Sequence, residues 1–219
     1  MRAGGRGVRR DRPPYRRRSR TVRERHREAA SRRFSFAFEH RRRRIRFAHC
    51  GNTPPIIDRA VTSFARRYWG SRLDQPAVAL SHLGRGGLIW LAADAALEAR
   101  SGRPPLPTRD VVSSVGLSYC SSLLFARVLQ RSRPCHADDD ALIECPDGPG
   151  LPSDQTAAAF AAAHSISRRR PKLGGPLYAT AAAIALARVY CGVHHLSDTL
   201  AGAAFGTAVA AATSHVRRS

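Results

Sequence analysis

Lysine is nearly absent from this chain: of 37 basic residues, all but Lys172 are arginine. Acids number only 16, which leaves a formal charge of +21. The cysteines, at 50, 120, 135, 145 and 191, are odd in number and lack CxxC spacing, so neither a disulfide framework nor a zinc knuckle is indicated. No Gly-x-y period and no sustained heptad runs through the sequence, which excludes collagen and coiled coil. No apolar segment follows the charged start before about residue 77, so residues 1–50 do not read as a secretory signal. Their Arg-rich, acid-poor composition resembles a transit peptide, yet the apolar patch from Phe34 to Phe38 is too short for a targeting helix.

The charge is unevenly spread. Residues 1–50 hold 19 arginines against Asp11, Glu24, Glu28 and Glu39, so most of the +21 belongs to the first fifth of the chain. This part repels itself and has no apolar period, and it reads as a disordered basic tail. It is either a solvated extension or, through Arg41 to Arg44, a contact for anionic lipid headgroups or nucleic acid. Residues 51–219 read as the folded domain.

In that domain, Ile57, Ala60, Val61, Phe64, Ala65 and Tyr68 recur at helical spacing opposite Arg59, Arg66 and Arg67, the pattern of an interfacial amphipathic helix. A weaker apolar run extends from about Ala77 to Ala96. Val111–Ala126 and Thr199–Ser214 are each 16 residues without a formal charge, and Leu173–Ala187 is 15. Thr156–Ile166 adds an Ala-rich segment. Each falls slightly short of the roughly 20 residues that span a bilayer. Their succession, dominated by small residues and without polar faces, predicts an all-α polytopic membrane bundle of about five to six helices. Gly202 and Gly206 have the spacing that permits close helix approach. Cys120 and Cys191 lie in apolar runs, whereas Cys135 and Cys145 flank an acidic loop and could pair if that loop is outside the cytoplasm.

Three short segments carry polar residues that a bundle does not need for packing. Arg188, His194 and Asp198 interrupt two apolar runs. A carboxylate near an imidazole fixes its tautomer and makes the far nitrogen more basic, and a guanidinium can hold two phosphate oxygens. Pro152, Ser153, Asp154 and Gln155 stand at the start of the Ala-rich segment, where helix N–H groups and a hydroxyl offer an anion site. Arg127, Arg131 and Arg133, followed by Pro134, close the 111–126 run.

In this order the segments resemble the type-2 phosphatidic-acid phosphatase superfamily, which includes bacterial polyprenyl-diphosphate phosphatases and vanadium haloperoxidases. Its motifs read K-x6-R-P, P-S-G-H and S-R-x5-H-x3-D. Arg188, His194 and Asp198 match the third, with Ala187 in the serine place; Arg133 and Pro134 match the end of the first, with Ala126 at the lysine and Arg127 beside it; Pro152 and Ser153 match the second, with Gln155 at the histidine.

The resemblance implies a membrane phosphatase acting on a lipid phosphate or polyprenyl (di)phosphate, without metal or other cofactor. His194 would attack phosphorus and Asp198 would orient it. Arg127, Arg133, Arg188 and Ser153 would hold the phosphate oxygens. Gln155 stands at the position of the general acid and cannot titrate in this range. Three consequences are open: slow turnover, preference for a good leaving group, or a proton borrowed from His136, His195 or water. His164, deeper in its helix, reads as a packed histidine.

Positive-inside reasoning puts Arg168, Arg169, Arg170, Lys172, Arg217 and Arg218 in the cytoplasm and the three motifs on the extracytoplasmic side of the cell membrane. An added membrane helix over residues 55–75 would then keep the tail inside. The competing reading is a catalytically impaired relative whose basic tail binds anionic lipid or nucleic acid. A soluble nucleic-acid binder has no use for Thr199–Ser214, which makes nucleic acid the least fitting partner.

Overall fold

The computed structural model describes residues 54–138 and 140–216. The expected basic tail, Asp139, Arg217 and Arg218 lie outside the described residues. Among those described there is no strand. Eight α-helices follow one another among the described residues: α1 (Ile56–Arg66), α2 (Asp74–Leu83), α3 (Leu88–Ala99), α4 (Arg109–Leu129), α5 (Pro134–Asp138), α6 (Asp154–Arg169), α7 (Gly174–Tyr190) and α8 (Leu196–Val216).

The expected run from Ala77 to Ala96 is two helices. Between α2 and α3 the chain makes a tight turn at Arg85–Gly87, with Gly86 and Gly87 both at positive φ (66° and 72°). The turn is also a point of close approach. A Cβ on Gly84 would stand 2.6 Å from Cγ2 of Ile184, and one on Gly87 would stand 2.7 Å from Cγ1 of Val115. Glycine therefore serves both the backbone angles and the packing here.

α6 runs through the middle, against α4, α7 and α8. Ala157, Ala158, Ala159, Ala161, Ala162, Ala163 and Ile166 are all inaccessible. Its low sequence hydropathy therefore reflects small side chains in a fully packed helix rather than a solvent face. α8 closes on it through glycine: a Cβ on Gly206 would lie 2.0 Å from the carbonyl oxygen of Ala157, and one on Gly202 would lie 2.6 Å from that of Ser153. The small-residue spacing thus marks the α6–α8 contact itself.

α4 is built inside out. Ser114, Ser118 and Ser122, one helical turn apart, point inward beside Val111, Val115 and Ala126, while Leu117, Leu123, Leu124, Phe125 and Val128 are exposed. Leucine and phenylalanine outside with serine inside is the arrangement that a lipid surround favours. Among the described residues α4 is also the one helix long and apolar enough to cross a membrane by length and composition.

The bundle has two polar ends. At one, Ser153 N–H donates to the Asp198 carbonyl, Leu142 N–H donates to that of Cys191, and Ser197 N–H donates to Oδ1 of Asp58. At the other, Arg169 pairs with Asp94 and Glu98, Arg170 pairs with Glu98, and Thr108, just before α4, donates its N–H and hydroxyl to Oδ2 of Asp94 at 2.7 and 2.8 Å. α2 with α3, then α4, α6, α7 and α8, run between these ends.

The expected membrane helix over residues 55–75 is not formed. α1 has 11 residues, about 16 Å of helix. It lies across the first end, with Asp58 and Thr62 buried and Ile57 and Phe64 exposed. Its polar face is tied inward by Asp58, which holds it to the end of the bundle instead of letting it run alongside. The outward apolar residues fit the interfacial helix read from the sequence.

Candidate active site

His194 sits in the turn between α7 and α8, fully buried, where left-handed Gly192 (φ 77°) lets the chain reverse. Its Nδ1 is 3.0 Å from the carbonyl oxygen of Gly150, and its Nε2 is 2.6 Å from Nη1 of Arg133. A carbonyl only accepts and a guanidinium only donates, so the proton is on Nδ1 and the lone pair on Nε2. The further contact between Nη1 and Nδ1, at 3.4 Å, then sets two donors face to face and is no hydrogen bond. Burial first, then Arg133 and Arg188, hold the imidazole well below its ordinary range and keep it neutral.

Asp198 is one turn along on α8, with its Oδ2 3.7 Å from Nδ1 of His194. With the ring neutral this is neither an ion pair nor a hydrogen bond; the hydrogen bond itself goes to Gly150. Asp198 instead accepts from the backbone N–H of His195 at 2.9 Å and from Nη1 of Arg131 at 2.9 Å. It is thus placed to stabilise positive charge on the ring without fixing the tautomer directly.

Arg133 enters from the α4–α5 connection. Its Nε donates to the Gly148 carbonyl at 3.1 Å and its Nη1 to that of Val193 at 3.1 Å. Arg188, near the end of α7, is 2% exposed; its Nη1 donates to Oγ of Ser81 at 2.9 Å, and its buried Nε has no hydrogen-bond partner. Ser153 is the N-cap residue of α6, with no accessible surface, and its Oγ accepts from Thr156 at 3.0 Å. The first amides of α6, beyond reach of intrahelical acceptors, belong to the same end of the bundle.

The structure therefore gathers Arg133, Ser153, Arg188, His194 and Asp198. Arg127 is not among them: it is exposed on the last turn of α4, where its carbonyl accepts from the Gln130 side chain. Gln155 is buried in the first turn of α6 and its Oε1 has no partner, at 3.4 Å from where a Cβ on Gly84 would stand. His164 bonds the Tyr178 hydroxyl at 3.1 Å as a packed residue.

Sequence reasoning named Arg131 without giving it a place in the site, and passed over Asp58. Arg131 donates to Oδ1 of Asp198, to Oγ of Ser197 at 2.6 Å and to Oδ2 of Asp58 at 2.6 Å. Burial pushes the Asp58 carboxyl up, but bonds from Ser197 and Arg131 outweigh it and leave the group below its ordinary value. The available signal was weak: an acid on the polar face of α1, 73 residues from its arginine. Asp154, where the family motif has glycine, stands within electrostatic reach of Arg133. A cavity of about 380 Å³ beside Ser114, Arg168 and Thr213 lies at the opposite end, away from His194.

Comparison with known proteins gives a family and a fold. The PAP2 superfamily model matches residues 107–219. The decaprenylphosphoryl-5-phosphoribose phosphatase of Mycobacterium tuberculosis is 30% identical over 138 residues, covering 60% of this chain and 73% of that protein, in both strain CDC 1551 / Oshkosh and strain H37Rv. Among solved structures, the transmembrane PAP2 type phosphatidylglycerolphosphate phosphatase of Bacillus subtilis superposes with a TM-score of 0.57 at 18% identity, over 74% of this chain and 84% of that one. LpxE of Aquifex aeolicus gives 0.57 at 21% identity, over 70% and 93%. The expected helical membrane-phosphatase fold is the fold observed.

Proposed function

The chain belongs to the PAP2 superfamily of membrane phosphatases, and on that premise we propose that it hydrolyses a lipid phosphate or polyprenyl (di)phosphate through a phosphohistidine at His194. The observation that carries this reading is the neutral, buried His194, with its Nε2 lone pair turned toward Arg133 and its Nδ1–H held by Gly150.

In the first step the Nε2 lone pair forms a bond to phosphorus as the bond from phosphorus to the leaving oxygen breaks. Arg133, Arg188 and the N-terminus of α6 spread the charge of the equatorial oxygens, which is the main task in phosphoryl transfer. Asp198 offsets the positive charge then carried by the ring. The leaving oxygen takes its proton from water or from His195, since Gln155 has none to give. In the second step water attacks phosphorus, the N–P bond breaks and inorganic phosphate leaves with His194 restored. No step calls on a metal ion.

We place this end of the bundle on the extracytoplasmic side of a multi-pass membrane protein. Arg168, Arg169, Arg170 and Lys172 at the opposite end favour that orientation, whereas the 19 arginines of residues 1–50 count against it once no membrane helix forms over residues 55–75. The Cys135–Cys145 disulfide beside the site favours it, a bond that persists in oxidising compartments. The relative named for a polyprenyl-linked phosphoribose suggests a polyprenyl-linked sugar phosphate as one substrate to try.

A second reading is a catalytically impaired relative, in which the basic tail is left to bind anionic lipid. Gln155 and Asp154, both at the phosphate end of α6, favour it. Phosphate release by detergent-purified protein from a panel of lipid phosphates and diphosphates, with EDTA present, separates the two. Release that His194→Ala abolishes supports the enzyme; no release from any substrate supports the relic.

A further inference from the structure

The segment Asp140–Gly150 follows α5 and has no regular structure, yet it touches the reacting groups more closely than Asp198 does. The Gly150 carbonyl accepts from Nδ1 of His194, and the Gly148 carbonyl accepts from Nε of Arg133. Gly150 N–H donates to the Arg131 carbonyl at 2.7 Å, and Leu142 N–H donates to that of Cys191 at 3.0 Å. A Cβ on Gly150 would stand 3.1 Å from both Cγ of Arg133 and Oδ2 of Asp198.

An irregular segment keeps such positions only if its ends are fixed. One fastening is the disulfide from Cys135 on α5 to Cys145, with Cα atoms 5.9 Å apart. The other is a small apolar cluster: Cys135, Cys191 and Val193 are buried together, with Ala141, Leu142, Ile143, Cys145, Ala77 and Val78 packed against them. Gly192 leaves room for it, since a Cβ there would meet the Asp140 carbonyl at 3.1 Å and Trp69 at 3.2 Å. Burial pushes the Cys191 thiol up to about 11, so this free cysteine of the same cluster is a protonated neighbour and a poor exchange partner.

We propose that Asp140–Gly150, fastened by the Cys135–Cys145 disulfide, is the positioning element of this site: its Gly150 carbonyl sets the tautomer of His194, its Gly148 carbonyl aims Arg133, and turnover depends on the intact disulfide. This rests on the phosphatase reading above and adds an oxidation requirement to it. The disulfide itself takes no part in the chemistry.

The experiment uses the full-length protein in detergent, before and after a dithiol reductant. The reductant leaves as its own cyclic disulfide, and Cys135 and Cys145 become thiols, a two-electron exchange. Two readouts are taken: kcat and KM for a lipid phosphate monoester, and the ¹⁵N shifts of the His194 ring. Reduction is expected to lower kcat by roughly 10- to 100-fold, the usual consequence of misplacing a reacting group by about an ångström. KM should move less, because Arg188 and α6 are untouched. The Nδ1–H form should lose its dominance, far-UV helix content should hold, and reoxidation should restore both readouts. Cys135→Ser with Cys145→Ser should behave as the reduced protein, and Cys120→Ser should respond to reductant as wild type does. Reduced protein that keeps both its turnover and its Nδ1–H tautomer overturns the proposal. If the double variant does not fold, reduction in place decides. If the oxidised protein shows no turnover on any substrate, the phosphatase reading falls, and the ring tautomer still decides whether the loop positions His194.

Discussion

Nη1 of Arg133 lies 2.6 Å from Nε2 of His194, so a fixed positive charge faces the lone pair that the proposed chemistry would use. Burial and this charge keep the ring neutral below the ordinary 6.5. The acidic limb of kcat/KM should therefore lie well below 6.5 rather than at it, and a limb centred there that ring NMR assigns to His194 would contradict the geometry. The sign for stability is fixed by the same shift. Above 6.5 both folded and unfolded chains hold a neutral imidazole and the contribution is complete. As pH falls below 6.5 the unfolded chain takes up a proton that the folded one refuses, and stability drops by up to about 1.4 kcal/mol per pH unit.

Asp58 and Arg131 join α1 to the start of α8. Both are buried, and removing Asp58 leaves Arg131 paired with Asp198 alone, so the loss is that of hydrogen bonds to a charged group, about 1.5–3 kcal/mol. Asp58→Ala should lower the thermal midpoint in detergent and release α1. Ser197 and Asp198 share that arginine, so kcat should fall as well. A midpoint unchanged within error would show that α1 is not tied by this pair.

Much of this architecture was legible in the sequence, for identifiable reasons. Uncharged runs bounded by charge located α4, α7 and α8, because a helix in lipid must end where charge begins. Arg188, His194 and Asp198 stood out because nothing else explains charge between apolar runs. The break at Gly86 and Gly87 was hidden, since a weak apolar run looks the same whether the chain continues or turns. The pairing of Arg131 with Asp58 was missed because a long-range ion pair leaves no local pattern. Backbone carbonyls such as those of Gly148 and Gly150 cannot be read from side-chain identities at all.

Gly206 tests the packing that presents Ser153 to the site. With a virtual Cβ 2.0 Å from a backbone oxygen, no rotamer change can relieve Gly206→Ala, and α8 must move off α6. Destabilisation of about 1–3 kcal/mol is expected, read as a lower unfolding midpoint. Gly116, with nothing within 4 Å of its virtual Cβ, should accept alanine without loss and serves as the control.

Asp154 sets a carboxylate near the arginines that would hold phosphate. Like charges repel, so Asp154→Asn should tighten binding of phosphate monoesters and of vanadate by several-fold, at a small loss of helix N-terminal stabilisation of roughly 0.3–1 kcal/mol. KM should fall more than kcat rises. Weaker vanadate binding in the variant would show instead that Asp154 organises Arg133, and that its charge assists the site.

Gln155 best separates a working enzyme from a relic. It is buried in the first turn of α6 with an unpartnered Oε1, at the position where the superfamily motif has its acid. An amide can donate a hydrogen bond to a leaving oxygen but cannot transfer a proton at neutral pH. Gln155→His should therefore raise kcat for phosphate monoesters, whose alkoxide leaves badly, by something on the order of the 10²–10⁴-fold that a general acid contributes. Diphosphates, whose phosphate leaves readily, should gain little. His194→Ala should remove turnover in both backgrounds, because no acid replaces a missing nucleophile. If wild type already hydrolyses monoesters well and Gln155→His changes nothing, the proton comes from elsewhere, and His195→Ala becomes the variant that should fall. If Gln155→His, with His194 and the disulfide intact, still turns over neither class, the decayed-site reading is the one that survives.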